Sequence, residues 1–302
     1  MHYIIEKVID QITFFTGYSS VEKIEKGLSP DDKYVVIKEE NKYLLRISDI
    51  KFRKNRATEF ELLKELEEMN IQSQKPILFG EHDGICFMVI EYIEGTPAVN
   101  AFKNCSDSVQ HQIGLKAGKE LYKIHQIIAP SHVEKWQDRQ SKKYRYYLNE
   151  YNAGKFKLKK DTKILNFIEE NIHIIHDRHN TLLHDDFHLE HIILSENQFK
   201  GIIDFNGFDY GDAYHDFYNL ALFSRRISIP YCIGQIEGYF SAPPEAYFWK
   251  LYSLYAAMNI FSTIIWTNKN DPKFFEDALE RLEIILEDHD YFNNIKPSWY
   301  TP

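Results

Sequence analysis

Cysteine is scarce in this chain. The three present, Cys86, Cys105 and Cys232, are odd in number, far apart and outside any CxxC spacing, so neither a disulfide framework nor a zinc site is expected. Positive charge is also short: 36 Lys and Arg against 45 Asp and Glu leave a formal net charge of −9. That balance argues against a nucleic-acid binder, although a local basic stretch runs over 135–160. No secretory pattern is visible in MHYIIEKVIDQITFF, which carries acids within its first ten residues, so a cytoplasmic protein is expected. Long apolar runs are missing too. The uncharged segment LYSLYAAMNIFSTIIWTN (251–268) just reaches the length of a membrane span. Tyr252, Ser253, Asn259, Ser262 and Thr263 dilute it, and a buried core helix without membrane association is expected. There is no internal repeat or low-complexity segment.

What is present is packing material. With 44% apolar and 15% aromatic residues over 302 positions, the chain can bury a sizeable core, and two modest domains are expected. YVVIKE (34–39) and KYLLRIS (42–48) read as a hairpin turning at Glu40-Asn41. RATEFELLKELEEM (56–69) places Phe60, Leu63 and Leu66 at helical spacing. KPILFGEHDGICFMVIEYIEG then gives a short strand, an Asp-Gly turn and a longer strand ending near Gly95. Beyond it helices are predicted over 108–127, 135–151, 161–178, 213–224, 244–268 and 272–290, broken only by a hairpin at 182–205. The fold class is therefore α+β: a small antiparallel-sheet lobe with one helix (1–94) and a larger, mainly helical lobe (95–302), with a cleft between them where ligands tend to sit.

The chemistry is concentrated in LLHDDFHLEHIIL (182–194) and FKGIIDF (199–205). If Asn197-Gln198 form a two-residue turn, His191 faces Asp204 across the hairpin, and opposed residues of an antiparallel pair share a face. Asp186 lies five residues before His191 and could reach the same spot. Two carboxylates and an imidazole so gathered call for a cation, and an oxygen-rich site of this kind suits Mg²⁺ bridging to substrate phosphates.

His184-x-Asp186 followed by His191, then Ile202-Ile203-Asp204-Phe205 and Gly211-Asp212 with Asp216, resembles the catalytic and metal-binding loops of the aminoglycoside phosphotransferase and choline-kinase-like family, relatives of the protein kinases. The order of the lobes agrees, and AGKELYKIHQI (117–127) is similar to a family helix. The resemblance implies a two-lobed protein-kinase-like fold. It also implies a kinase that moves the γ-phosphoryl group of GTP or ATP, with Mg²⁺, to a hydroxyl of a small acceptor, an alcohol-group phosphotransferase.

Carried over residue by residue, Asp186 would be the catalytic base or orienter of the acceptor hydroxyl. Asp204 would be the principal magnesium ligand and His191 the second, where the family usually has asparagine. Asp212 and Asp216 match structural acids. Arg46 stands where the family has a phosphate-gripping lysine, with Glu59 as its partner; arginine keeps the charge but changes the geometry. Gly27 and Ser29 fall in the phosphate-covering loop by position, and the backbone at Glu91 and Ile93 would hold the purine. Aminoglycoside 2''-kinases and macrolide 2'-kinases resemble this chain in having histidine at the second metal position, and such kinases are largely GTP users. The resemblance thus implies an aminoglycoside-type antibiotic as acceptor and a role in antibiotic resistance. A macrolide kinase, a metabolic kinase for choline, a sugar or an amino alcohol, and a nucleotide-binding pseudokinase are the alternatives. The acceptor is expected to be cationic or hydroxyl-rich and the protein a monomer. On the acceptor side, Glu283, Glu287 and Asp288 would attract a polyamine, whereas Trp249, Tyr252, Tyr255 and Trp266 would suit a macrolide.

Overall fold

In the computed structural model, residues 5–25 and 29–301 are described. Contacts divide the chain into two units, residues 1–94 with 201–206 and residues 95–200 with 207–302.

The first unit holds the helix α1 (Ile5–Gln11) and the strands β1 (Ser20–Ile24), β2 (Asp32–Lys38) and β3 (Asn41–Asp49). After them come α2 (Arg53–Glu68), β4 (Pro76–His82) and β5 (Ile85–Glu91). The five strands form an antiparallel sheet in the order β1-β2-β3-β5-β4. One layer of core is made where Val8, Ile9, Ile12 and Phe15 meet Val36, Leu45, Ile47 and Val89. On α2, Phe60, Leu63 and Leu66 are buried at the spacing of one helical face. The strand β1 was not foreseen: SVEKI has no continuous apolar face, as befits an edge strand. The β2–β3 turn also falls one residue earlier than expected, on Glu39-Glu40, with Lys38 paired to Asn41 and Glu39 at φ 57°. Residues 201–206 join this unit through the amide of Ile202, which donates to Gln72 O (2.8 Å).

The second unit begins with β6 (Thr96–Pro97) and the helices α3 (Ala98–Ala101), α4 (Asp107–Ile124), α5 (Trp136–Ala153) and α6 (Asp161–Asn171). Then come β7 (Thr181–Leu183), β8 (Ile192–Ser195), the strand β9 (Gln198–Ile202) that leaves the unit, and β10 (Asp209–Gly211). A π-helical segment (Leu220–Ser224) and the helices α7 (Ile229–Phe240), α8 (Ala246–Asn270) and α9 (Phe275–Asp288) complete it. The uncharged segment lies inside α8, where residues such as Leu251, Tyr252, Leu254 and Ile260 are fully buried. Among the described residues no helix is long and apolar enough to cross a membrane.

The expected hairpin exists, but its turn is Glu196-Asn197, both with positive φ as a type I′ turn requires. Asn197-Gln198 is therefore not the turn, and Gln198 already belongs to β9. The expected pairing of His191 with Asp204 fails with it: β8 opens only at Ile192 and β9 closes at Ile202, so neither residue is in the ladder.

The helix α7 was missed, and its glycines explain both the omission and its place. Gly114 and Gly118 on α4 face Gly234 and Gly238 on α7. A Cβ on Gly118 would stand 2.1 Å from Gln235 O, and one on Gly238 would stand 2.2 Å from Leu115 O. The two backbones touch, and the obstacles are carbonyls that cannot rotate away. We expect Gly118→Ala to cost about 1–3 kcal/mol in urea unfolding, while Lys119→Ala, on the exposed face of the same turn, changes little; equal effects would show that the close approach is not tight.

Candidate functional site

The loop after β7 is fixed from beneath by Asp216. This fully buried carboxylate accepts the amides of His184 (2.9 Å) and Asp185 (2.8 Å), and it meets His125 Nε2 at 3.1 Å. His125 is held in turn by the Tyr239 hydroxyl (2.9 Å). Asp185 adopts φ 61°, a conformation a non-glycine residue keeps only when its surroundings over-determine it. Its amide bond to Asp216, a Tyr218 hydroxyl donating to its carbonyl (3.2 Å), and His215 Nδ1 3.2 Å from its carboxylate supply that. Asp212 performs a similar service beside β10, accepting from Arg178 (2.8 Å) and from the Tyr255 hydroxyl (2.7 Å).

Asp186 projects from this frame with its carboxylate half exposed, Oδ1 lying 2.9 Å from His188 Nε2. His188 Nδ1 accepts the Glu190 amide (3.3 Å), so its proton sits on Nε2 and is donated to Asp186. His191 Nδ1 lies 2.8 Å from the Asp186 carbonyl and 3.6 Å from Oδ2. A carbonyl only accepts, so Nδ1 carries a hydrogen, and Nε2 is the nitrogen with the lone pair when the ring is neutral. Burial pushes the Asp186 carboxyl up, but the His188 hydrogen bond and the surrounding imidazoles of His188, His191 and His184 outweigh it and bring the pKa to about 2.

The three side chains Asp186, His188 and His191 offer ligand atoms within 4.8 Å of one another. His188 was present in the quoted sequence, but its role depended on a compact turn that the spacing did not reveal. One carboxylate and two imidazoles are a donor set that fits a divalent cation. Asp204 lies in the first unit at φ 69°, with its amide directed at Gln74 Oε1 (3.4 Å) and its Oδ1 accepting from Asn206 (2.5 Å).

Asp186 also lines a cavity of about 260 Å³. Lys143 and Tyr147 of α5, Tyr218 and Phe223, Asn259 and Trp266 of α8, and Arg281 of α9 contribute to the wall. The acids expected on the acceptor side are elsewhere: Asp288 is buried against Arg225 (2.8 Å), and Glu283 accepts from the Tyr291 hydroxyl (3.2 Å). Trp249, Tyr252 and Tyr255 are buried in the core. Trp266, 44% exposed, is the one expected aromatic that lines the cavity.

In the first unit Arg46 is buried and pairs with Glu59 through Nη1. A residue that sequence reasoning missed completes the arrangement. Asp31 accepts from Arg46 Nε (3.2 Å) and Nη2 (2.7 Å), from the Ser48 hydroxyl (2.6 Å) and from Arg56 Nη2 (2.9 Å). Arg56 Nη1 reaches Glu59 as well (3.3 Å). Two guanidinium groups and two carboxylates thus neutralise one another. Asp31 carried no signal, being one of two aspartates in a turn-like segment. Ser29 accepts the Asp31 amide (3.2 Å), whereas Gly27 lies outside the described residues. The Glu91 amide donates to Lys75 O (2.8 Å), so that part of the expected purine contact is already spent in the sheet.

Comparison with known proteins adds a family. The sequence profile of the phosphotransferase enzyme family matches residues 20–249. None of the curated proteins matches the chain in sequence. Similar solved structures include the gentamicin–APH(2″)-IIa complex, with TM-score 0.67 and 18% identity, covering 94% of this chain and 97% of that one. They include the ADP-bound aminoglycoside phosphotransferase APH(2″)-Ib, with TM-score 0.66 and 19% identity, covering 93% and 96%. The aminoglycoside phosphotransferase APH(4)-Ia has TM-score 0.66 and 13% identity, covering 93% and 97%. The α+β architecture found here is the kinase-like fold of these proteins.

The acid network of the first unit has a pH signature. Burial pushes the Asp31 carboxyl up, but the Arg46 charge and the bonds from Ser48, Arg46 and Arg56 hold it below the usual carboxylate range. A pKa lower in the folded than in the unfolded chain contributes stability that is fully present above the unfolded value and is lost as pH falls through the folded one. Asp31→Asn should therefore cost about 3 kcal/mol at pH 7, because it leaves buried guanidinium charge short of a partner. That difference should shrink as unfolding is measured toward pH 3, and a pH-independent difference would rule out the charge as its source.

Proposed function

Because the chain belongs to the phosphotransferase enzyme family and is a phosphotransferase with an alcohol-group acceptor, we propose that it is a small-molecule kinase using Asp186 to orient the acceptor hydroxyl. The observation that carries this is the Asp186 carboxylate, pinned by His188 Nε2 at 2.9 Å on the wall of a cavity. A carboxylate is too weak a base to remove a hydroxyl proton before bonding to phosphorus begins. It orients the hydroxyl and receives the proton as transfer proceeds. The acceptor oxygen bonds to the γ-phosphorus, the bond from that phosphorus to the bridging oxygen breaks, and nucleoside diphosphate leaves.

Mg²⁺, held by Asp204 and His191, would neutralise phosphate charge. Arg46 is the candidate phosphate grip, aimed by Glu59. Since Asp31 already occupies Nε and Nη2, phosphate binding there requires exchange of the Asp31 bonds. The Glu91 carbonyl and the Ile93 amide would face the purine, with Ser29 and Gly27 in the covering loop. ADP-bound and ATP-containing neighbours support a nucleotide donor, and the cytosol is where such a donor is available. A neighbour bound to gentamicin supports an aminoglycoside-type acceptor, but Lys143 and Arg281 in the cavity wall tell against a polycation.

Asp186→Asn should lower kcat by about 10²–10⁴ with nucleotide affinity nearly unchanged. Asp204→Ala should weaken Mg·nucleotide binding itself, since a hard oxygen ligand is lost. Titrations and steady-state rates showing the reverse pattern would sink these two roles.

The histidine at the second metal position favours GTP over ATP by resemblance. A mismatched purine edge leaves a buried polar group unpaired, so a GTP preference of about ten- to a hundredfold in kcat/KM is expected. ATP used equally well at equal concentration would remove that inference and leave the kinase assignment untouched.

A further inference from the structure

The cavity beside Asp186 has an unbalanced wall. Its charged lining residues are Asp186, Lys143 and Arg281, and Asp186 is committed to His188 and to the acceptor hydroxyl. The Arg281 side chain is only 13% exposed, and its neutralisation is incomplete. Its Nε lies 3.3 Å from Asp277 Oδ2, but the other oxygen of that carboxylate is taken by Arg226 at 2.7 Å. One carboxylate therefore serves two guanidinium groups. Burial and the neighbouring Arg226 both act to lower the Arg281 pKa, and Asp277 offsets them only in part. The guanidinium rests 4.8 Å from the Phe223 ring centre, which holds it in place against a low-dielectric surface. Lys143 adds a second positive charge from α5. Asn259 and nearby hydroxyl side chains of α8 are neutral, and Trp266 offers a flat, partly exposed face.

We propose that the acceptor of this enzyme is a small hydroxy acid: an alcohol that also carries a carboxylate, which Arg281 and Lys143 receive, with a flat apolar body against Trp266. This rests on the reading that Asp186 orients the hydroxyl. An anion supplies the charge that Asp277 cannot provide twice, whereas a polyamine would set ammonium groups beside a buried guanidinium. At about 260 Å³ the cavity is smaller than the roughly 300–1,000 Å³ usual for ligand sites, which suits only a small acceptor.

The test uses probes that share a skeleton and differ in charge: 3-phenyllactate, its neutral amide, the cationic phenylalaninol, and gentamicin as a polycation. Binding to the full chain is measured by titration calorimetry in the presence of Mg²⁺ and a non-hydrolysable GTP analogue, and GTP consumption is followed in parallel with Mg²⁺. The acid should bind at least about tenfold tighter than the amide or phenylalaninol. Arg281→Gln should reduce the acid-to-amide ratio to within about threefold, and Lys143→Gln, at an exposed position that tolerates change, should reduce it less. Phenylalaninol or gentamicin binding as tightly as the acid overturns the proposal, as does absence of acid binding at millimolar concentration or a ratio that survives both substitutions. An acid preference with no phosphoryl transfer to any probe sinks the role of Asp186 and keeps the charge preference. Turnover of gentamicin in place of the acid keeps the kinase and sinks the hydroxy acid.

Discussion

The Asp216 carboxylate is the constraint on which the loop after β7 depends. A buried carboxylate is costly unless every lone pair is answered, and here two successive amides and an imidazole answer it. Successive amides can converge on one carboxylate only if the chain bends sharply between them, which is why Asp185 takes a left-handed conformation. With the bend fixed, the turn that follows closes on itself: the His188 amide donates to Asp186 O (3.0 Å) and the His191 amide to His188 O (2.9 Å). Three titratable side chains separated by two and three residues then meet. The lowered pKa of Asp186 follows from this geometry.

The first unit solves the same problem with the signs reversed. Arg46 is a cation in the interior, and two carboxylates are brought to it, Glu59 from α2 and Asp31 from the segment ahead of β2. Arg56 then restores neutrality. A lysine has one charged atom to place; the guanidinium has a fork, and the fork is filled by Asp31 along Nε and Nη2. The presence of arginine and the presence of Asp31 are thus one structural fact. Any phosphate that used Arg46 would compete with an Asp31 Oδ2 that already takes both Nε and Nη2.

Much of this was legible in the sequence where information is local. Strands with β-branched runs, the amphipathic α2 and the long core helix α8 follow from periodicity; Asp186 and His191 were singled out by type and order, and Arg46 and Glu59 by the family resemblance. The failures share a cause. The strand β1 shows no apolar face because it is an edge. The helix α7 contains Gly234 and Gly238, which weaken its helical signature and are there because α4 touches it backbone to backbone. Glu39 and Glu196 occupy left-handed turn positions that side-chain preference gives to asparagine or glycine, so both turns were placed one residue late. His188 and Asp31 act only through contacts made in three dimensions.

The residues singled out from the sequence lie in short stretches, so a family likeness can carry them where identity to solved structures is only 12–19%. The cavity wall is different. It takes one or two residues each from α5, the π-helical segment, α8 and α9, spread from Lys143 to Arg281, and no spacing rule links them. A wall so dispersed can change its charge through single substitutions on exposed or half-buried helix faces, while the loop after β7 is tied to Asp216. The acids of the last helix looked like an acceptor site because they are close in sequence, yet Asp288 turns inward to Arg225 and Arg281 turns to the cavity. One helix thus sends Asp288 to the core and Arg281, with Asp277 beside it, to the cavity that Asp186 lines.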